Sequence, residues 1–176
     1  QRSSDLSQAL LAQAEDAILN VMNVIDRTKM LSIQMNNETF NADDRSDVIT
    51  ELEGLKEQVR QLANSEFNGR YVFAGAAFDS EAFDSSYAYQ GSTTEFAVSV
   101  SDSSSVDVGF DGSDVFQGGA DVFTAFDDFI TGLDTDNSAL ISDSIGNFEE
   151  VYDQLTNYLS KVGGNARIAD DMSQVA

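Results

Sequence analysis

The run Asp134-Thr135-Asp136-Asn137-Ser138 places oxygen donors at the spacing with which a calcium loop begins. The match stops there: the sixth position is Ala139, where the sharp turn needs glycine, and the twelfth is Ile145, where a bidentate glutamate closes the shell. Thirty-one Asp and Glu offer other oxygens, but they scatter instead of converging into the facing pair that acid–base chemistry requires. With no cysteine and no histidine, thiolate and imidazole chemistry, disulfides and thiolate metal sites are all excluded. There is also no glycine-rich loop of phosphate-binding spacing, so neither a cofactor nor an enzyme activity is expected. A calcium- or carbohydrate-binding module built on acidic surface stays as an alternative of a different class.

A net charge of −22 argues against nucleic-acid or anionic-membrane partners, which attract clustered Lys and Arg. No run of 18 apolar residues exists to span a membrane, and the first residues lack the pattern of a cleaved signal. The charge is unevenly placed. All nine basic residues lie in 1–70 or 161–176, whereas 71–160 has none and carries seventeen acids. This divides the chain into a helical part of mixed charge and an acidic, Ser- and Asp-rich middle whose plain reading is solvated surface.

Three long stripes position everything else. Leu10, Ala14, Ala17, Val21, Val24, Thr28, Leu31 and Met35 recur at steps of four and three, flanked by Leu11, Ile18 and Ile25. The spacing predicts one helix over about 4–36, roughly 50 Å long, with a stripe wide enough for two partner helices. Asn36-Asn37 ends the pattern, and Asn41, Asp43 or Asp44 can cap a second helix whose seam is Val48, Leu52, Leu55, Val59 and Leu62, antiparallel to the first. Ile141, Ile145, Phe148, Tyr152, Leu155, Leu159, Val162, Ala166 and Ala169 mark a last long helix. Gly146, Gly163 and Gly164 inside it suggest either close approach of a neighbour or local bending.

Between the second and last helices the period changes. Asn68-Gly69 tolerates positive φ and should join the end of the second helix to a strand. Short β-like runs come next at Tyr71–Phe73, Tyr87–Tyr89, Phe96–Val100 and Val106–Phe110, which predict a small antiparallel sheet. Residues 122–133, with Phe123, Phe126, Ile130 and Leu133 on one face, read as a short amphipathic helix attached either to the sheet or to the long helices. The expected fold is therefore α+β: a rod-like bundle from 1–74 plus 136–176, carrying a β-rich acidic insert over 75–135.

Several of these stretches resemble the flagellin family. Residues 9–37 are similar to the family's first long helix with its paired Asn ending. Asn41-Ala42-Asp43-Asp44-Arg45 with Ile49, Glu51, Leu52 and Leu55 looks like its second core helix, and Phe67-Asn68-Gly69 fits its turn. Tyr71-Val72-Phe73-Ala74-Gly75 and Tyr89-Gln90-Gly91 resemble the hook–filament junction branch more than filament flagellin, which remains the alternative within the class. Val162-Gly163-Gly164-Asn165-Ala166-Arg167 is similar to the family's Gly-Ala-Arg helix, with departures at Gly164 and Ala166.

The resemblance implies a secreted structural protein of the bacterial flagellum, assembling at the hook–filament junction with other hook-associated proteins and with flagellin. It also implies terminal segments that build an inner tube by self-assembly. Nothing here matches them, so the chain is expected to be a core fragment, monomeric on its own.

Overall fold

The computed structural model describes residues 2–37 and 39–175. In chain order its elements are α1 (Arg2–Asn37), α2 (Ala42–Ala63), β1 (Glu66–Phe67), β2 (Arg70–Tyr71), β3 (Phe96–Ser101), β4 (Ser104–Gly109), α3 (Gly112–Gln117), α4 (Val122–Asp134) and α5 (Ser138–Val175). Long helices packed together carry two small antiparallel hairpins, β1–β2 and β3–β4.

The 36 residues of α1 extend about 54 Å at 1.5 Å per residue. α5 runs antiparallel beside them, as Gln8 bonding Asp170 near one end and Lys29 pairing with Glu149 towards the other make plain. Apolar area buried along this seam, at about 25 cal/mol per Å², is the main reason two helices of this length stay together. α2 returns along α1, tied by Arg27 to Glu51 at 2.7 Å. It starts at Asn41, whose side chain accepts from the Asp43 and Asp44 N–H groups at 2.9 Å, while the Asp44 carboxylate accepts the Asn41 N–H in return. This reciprocal cap contributes about 1 kcal/mol and sets where the helix begins.

α4, whose attachment the sequence left open, packs against both α2 and α5. Asp121 caps it by accepting from Phe123 and Thr124, and the helix buries Val122, Phe123, Phe126, Phe129 and Leu133. Its Phe123 also stacks on the Phe83 and Tyr87 rings.

The acidic middle differs from the expected single sheet. Tyr71–Phe73 is strand only at Tyr71; beyond it, Val72 and Phe73 hydrogen-bond through their carbonyls to Phe110 and Gly112. Tyr87–Tyr89 is not a strand: Tyr87 sits at φ 65°, and the run makes one isolated bridge, Phe83 to Tyr89. A helix was not foreseen at Gly112–Gln117, where Asp111 accepts the Ser113 N–H as N-cap and turns the chain out of β4. In β3 the alternation holds: Phe96, Val98 and Val100 are half-buried while Ala97, Ser99 and Ser101 face water.

Two further expectations change. α2 stops at Ala63, so Asn68-Gly69 joins two strands and not a helix to a strand. Among the described residues nothing lies within 4 Å of where a Cβ would stand at Gly146, Gly163 or Gly164, so close approach of a neighbour within them is not the reason for these glycines.

Candidate functional site

The stretch from Leu62 to Gly75 is fastened to the rod by backbone geometry first. β1 and β2 pair Glu66 with Tyr71 and Phe67 with Arg70, leaving Asn68 at φ 51° and Gly69 at φ 73° as a two-residue turn. Both central residues at positive φ is the arrangement whose twist matches a hairpin, and Asn-Gly adopts it at least cost. Val72, Phe73 and Ala74 are then fully buried, and Gly75 turns at φ 58° with its Cα side closed off by the Ser92 and Thr94 carbonyls.

The chain between Ala76 and Glu95 is held by side chains of α2 and the residue just after it. Asn64 exchanges two hydrogen bonds with Phe83, and Arg60 donates to the same Phe83 carbonyl at 3.3 Å. Arg60 also forks onto Glu57, three residues earlier, with its closest contact at 2.7 Å. Tyr87 donates its hydroxyl to Glu57 at 3.1 Å, and Lys56 lies 3.8 Å from the centre of the Tyr87 ring. Hydrogen bonds from Arg60, then from Tyr87, hold the Glu57 carboxyl below its ordinary range. Burial pushes the Tyr87 hydroxyl up. A positive φ at a tyrosine is costly, and this set of contacts is what holds it there. Beneath it Phe83 stacks edge-on with Phe116 and Phe123, and Phe73 with Phe116.

The rod seams bury most of the residues that sequence spacing selected. Leu10, Val21, Val24 and Leu31 of α1, Leu52 and Val59 of α2, and Phe148, Leu155 and Val162 of α5 are buried. Leu55, Leu62, Tyr152 and Leu159 are half-buried at the edges of the same core. Sequence spacing passed over Ser144 and Val151, both buried on α5, and the fully buried Phe129 of α4. Gln154 was also missed: its amide reaches the Val115 and Ala120 carbonyls and accepts the Ala120 N–H, tying the α3–α4 connection to α5.

The calcium-like run is a helix–helix connection instead. Asn137 spends its side-chain oxygen on the Ala139 and Leu140 N–H groups at the start of α5, and Asp136 pairs with Arg45 at 3.5 Å. Among the described residues no three His, Cys, Asp or Glu side chains converge as a metal site. Nor is any described helix long and apolar enough to cross a membrane. What the geometry offers is surface: a long helical wall on which Leu19, Met30 and Ile33 of α1 are exposed among polar residues.

Residues 1–77 match the bacterial flagellin N-terminal helical region. Flagellar hook-associated protein 3 of Salmonella typhimurium is 30% identical over 113 residues, 63% of this chain. Over residues 1–77 the chain is similar to the flagellin family. It spans 33% of the length of that Salmonella relative. In three dimensions a putative flagellar hook-associated protein from Vibrio parahaemolyticus superposes with a TM-score of 0.89 at 19% identity, covering 99% of this chain and 82% of the other. Bacillus cereus flagellin covers 100% and 95% but reaches only 0.53 at 20% identity. Residues 1–77 take in α1, α2, the Asn68-Gly69 turn and the Tyr71–Gly75 segment.

Proposed function

We propose that this chain is the core of a structural adaptor that joins hook to filament in the bacterial flagellum, outside the cell, and that it is not an enzyme. Its partners are other hook-associated proteins and flagellin, and the longer protein self-assembles. Residues 1–74 with 136–176 form the wall and 75–135 the outgrowth, with the helix at 122–133 serving the wall because it packs on α2 and α5. The observation that carries this reading is the superposition on a hook-associated protein over 99% of the chain, against the poorer fit to a filament flagellin. Long antiparallel helices suit it physically, since a tube wall must carry load along its axis.

Deleting the gene should leave hooks without filaments while flagellin escapes into the medium. Filaments of normal number on the deletion strain would reject the role. Between isolated core chains a charge of −22 opposes contact, and association must also offset several kcal/mol of lost rigid-body freedom. Sedimentation equilibrium at micromolar concentration should therefore return a monomer.

A further inference from the structure

Residues 81–91 contain no helix and, for strand, the isolated bridge between Phe83 and Tyr89, yet they hold together as one body. The Gln90 N–H donates to the Ala82 carbonyl at 2.7 Å and the Asp84 N–H to that of Ala88 at 3.1 Å. The Asp84 carboxylate accepts in turn from the Ser86 and Ala88 N–H groups and from the Gln90 amide. The two ends are closed outside this body, where the Ala76 N–H donates to Thr94 at 2.8 Å and the Ser92 N–H to Ala74 at 2.9 Å. A loop shut at its neck and braced within itself moves as a unit, because lifting it breaks neither set of bonds.

Lifting breaks a different set. Lys56, Glu57, Arg60 and Asn64 follow one another at helical spacing along a single side of α2 and its end, the first two holding Tyr87 and the last two Phe83. Two longer bonds, at 3.3 Å, come from α3: the Gln117 amide donates to the Tyr87 carbonyl and the Gly112 N–H to the Tyr89 hydroxyl. Within the body Ala82 and Phe83 are the fully buried side chains, so little apolar surface resists its departure. Tyr87, at φ 65°, stores backbone strain that departure releases.

We propose that residues 81–91 are a strap that lifts from α2 as one body while the long helices stay folded, with the hydrogen bond from Tyr87 to Glu57 as its latch and the neck between Ala74–Ala76 and Ser92–Thr94 as its hinge. Lifting withdraws Phe83 from its edge-on contacts and bares the Phe116 and Phe123 rings, both buried while the strap is down.

Native-state hydrogen exchange on the whole chain at one pH, corrected for intrinsic rates, reads this opening. The Phe83 amide, which donates to Asn64, reports lifting; it should exchange at least about tenfold faster than the neck amides of Ala76 and Ser92 and the α1 amides of Val21 and Ile25. Tyr87→Phe, which removes the latch hydroxyl alone, should speed Phe83 severalfold and leave the neck and α1 unchanged. Glu57→Ala should speed it further, since the Arg60 fork goes too, and adding Tyr87→Phe to that variant should change nothing more. Equal protection of Phe83 and α1 would mean that the strap opens only with the whole fold, and neck amides that speed up together with Phe83 would mean that the loop unravels instead of lifting. Either result overturns the strap, as does an unchanged Phe83 in Tyr87→Phe or a double variant whose effects add.

Discussion

Asn64 and Phe83 grip each other as two strand residues would: the Phe83 N–H donates to Asn64 Oδ1 and Asn64 Nδ2 donates to the Phe83 carbonyl, both at 2.8 Å. A side-chain amide at the end of α2 thereby stands in for a missing neighbour strand. It gives the segment after the Gly75 turn its anchor while Phe83 is driven into the core.

Asn64→Asp should cost about 1–3 kcal/mol, because the carboxylate keeps the acceptor but sets a second oxygen against the Phe83 carbonyl. Asn64→Leu should cost a similar amount by leaving the Phe83 N–H unpaired and its carbonyl with only the longer Arg60 bond. Urea unfolding gives the numbers; a loss below a few tenths of a kcal/mol would mean that water replaces the amide.

Two kinds of glycine should respond in opposite directions. Gly69→Val forces a β-branched residue to φ 73° and should destabilise by at least ~1 kcal/mol. Gly163→Ala and Gly164→Ala, with open space at each Cβ inside α5, should each stabilise by about 0.5–1 kcal/mol. Thermal melting of the three variants decides; destabilisation by either alanine would show that α5 needs its glycines for bending.

Adding sodium chloride to a low-salt solution should raise the melting temperature. Self-repulsion from a net charge of −22 acts over a Debye length of ~30 Å at 0.01 M salt. Against it stand ion pairs such as Arg27–Glu51 and Lys56–Asp127, at least one partner of each well exposed and worth about 0–1 kcal/mol apiece. A fall on adding moderate salt would reverse that ranking.

In alkali the tyrosines should protect the fold and then fail with it. Burial, with Asp114 next, pushes Tyr158 up to about 12, and burial raises Tyr89 further still. Folded-state values above the ordinary 10 stabilise fully below it, and the stabilisation is lost as pH rises through them. Phenolate absorbance should lag that of the urea-unfolded chain. Ionisation of all five tyrosines near 10 with helicity intact would show the aromatic cluster open to water.

Sequence alone determined the long helices and the turn, because each is a local rule. A seam such as Leu10 to Met35 reflects 3.6 residues per turn, a cap among Asn41, Asp43 and Asp44 starts the second helix, and Asn-Gly between apolar runs demands positive φ. Tertiary structure decided what depends on a distant partner. Tyr87 reads as strand by propensity, yet Glu57, Lys56 and Phe123 hold it at positive φ. No helix was read at 112–117, yet Asp111 and the packing of Phe116 under Phe83 and Phe73 make one there. Asp136, whose partner the sequence could not name, pairs at 3.5 Å with Arg45, brought across from the first turn of α2. The place of α4 between α2 and α5 could not be read from its own apolar face, since an amphipathic stripe states that something covers it and not what.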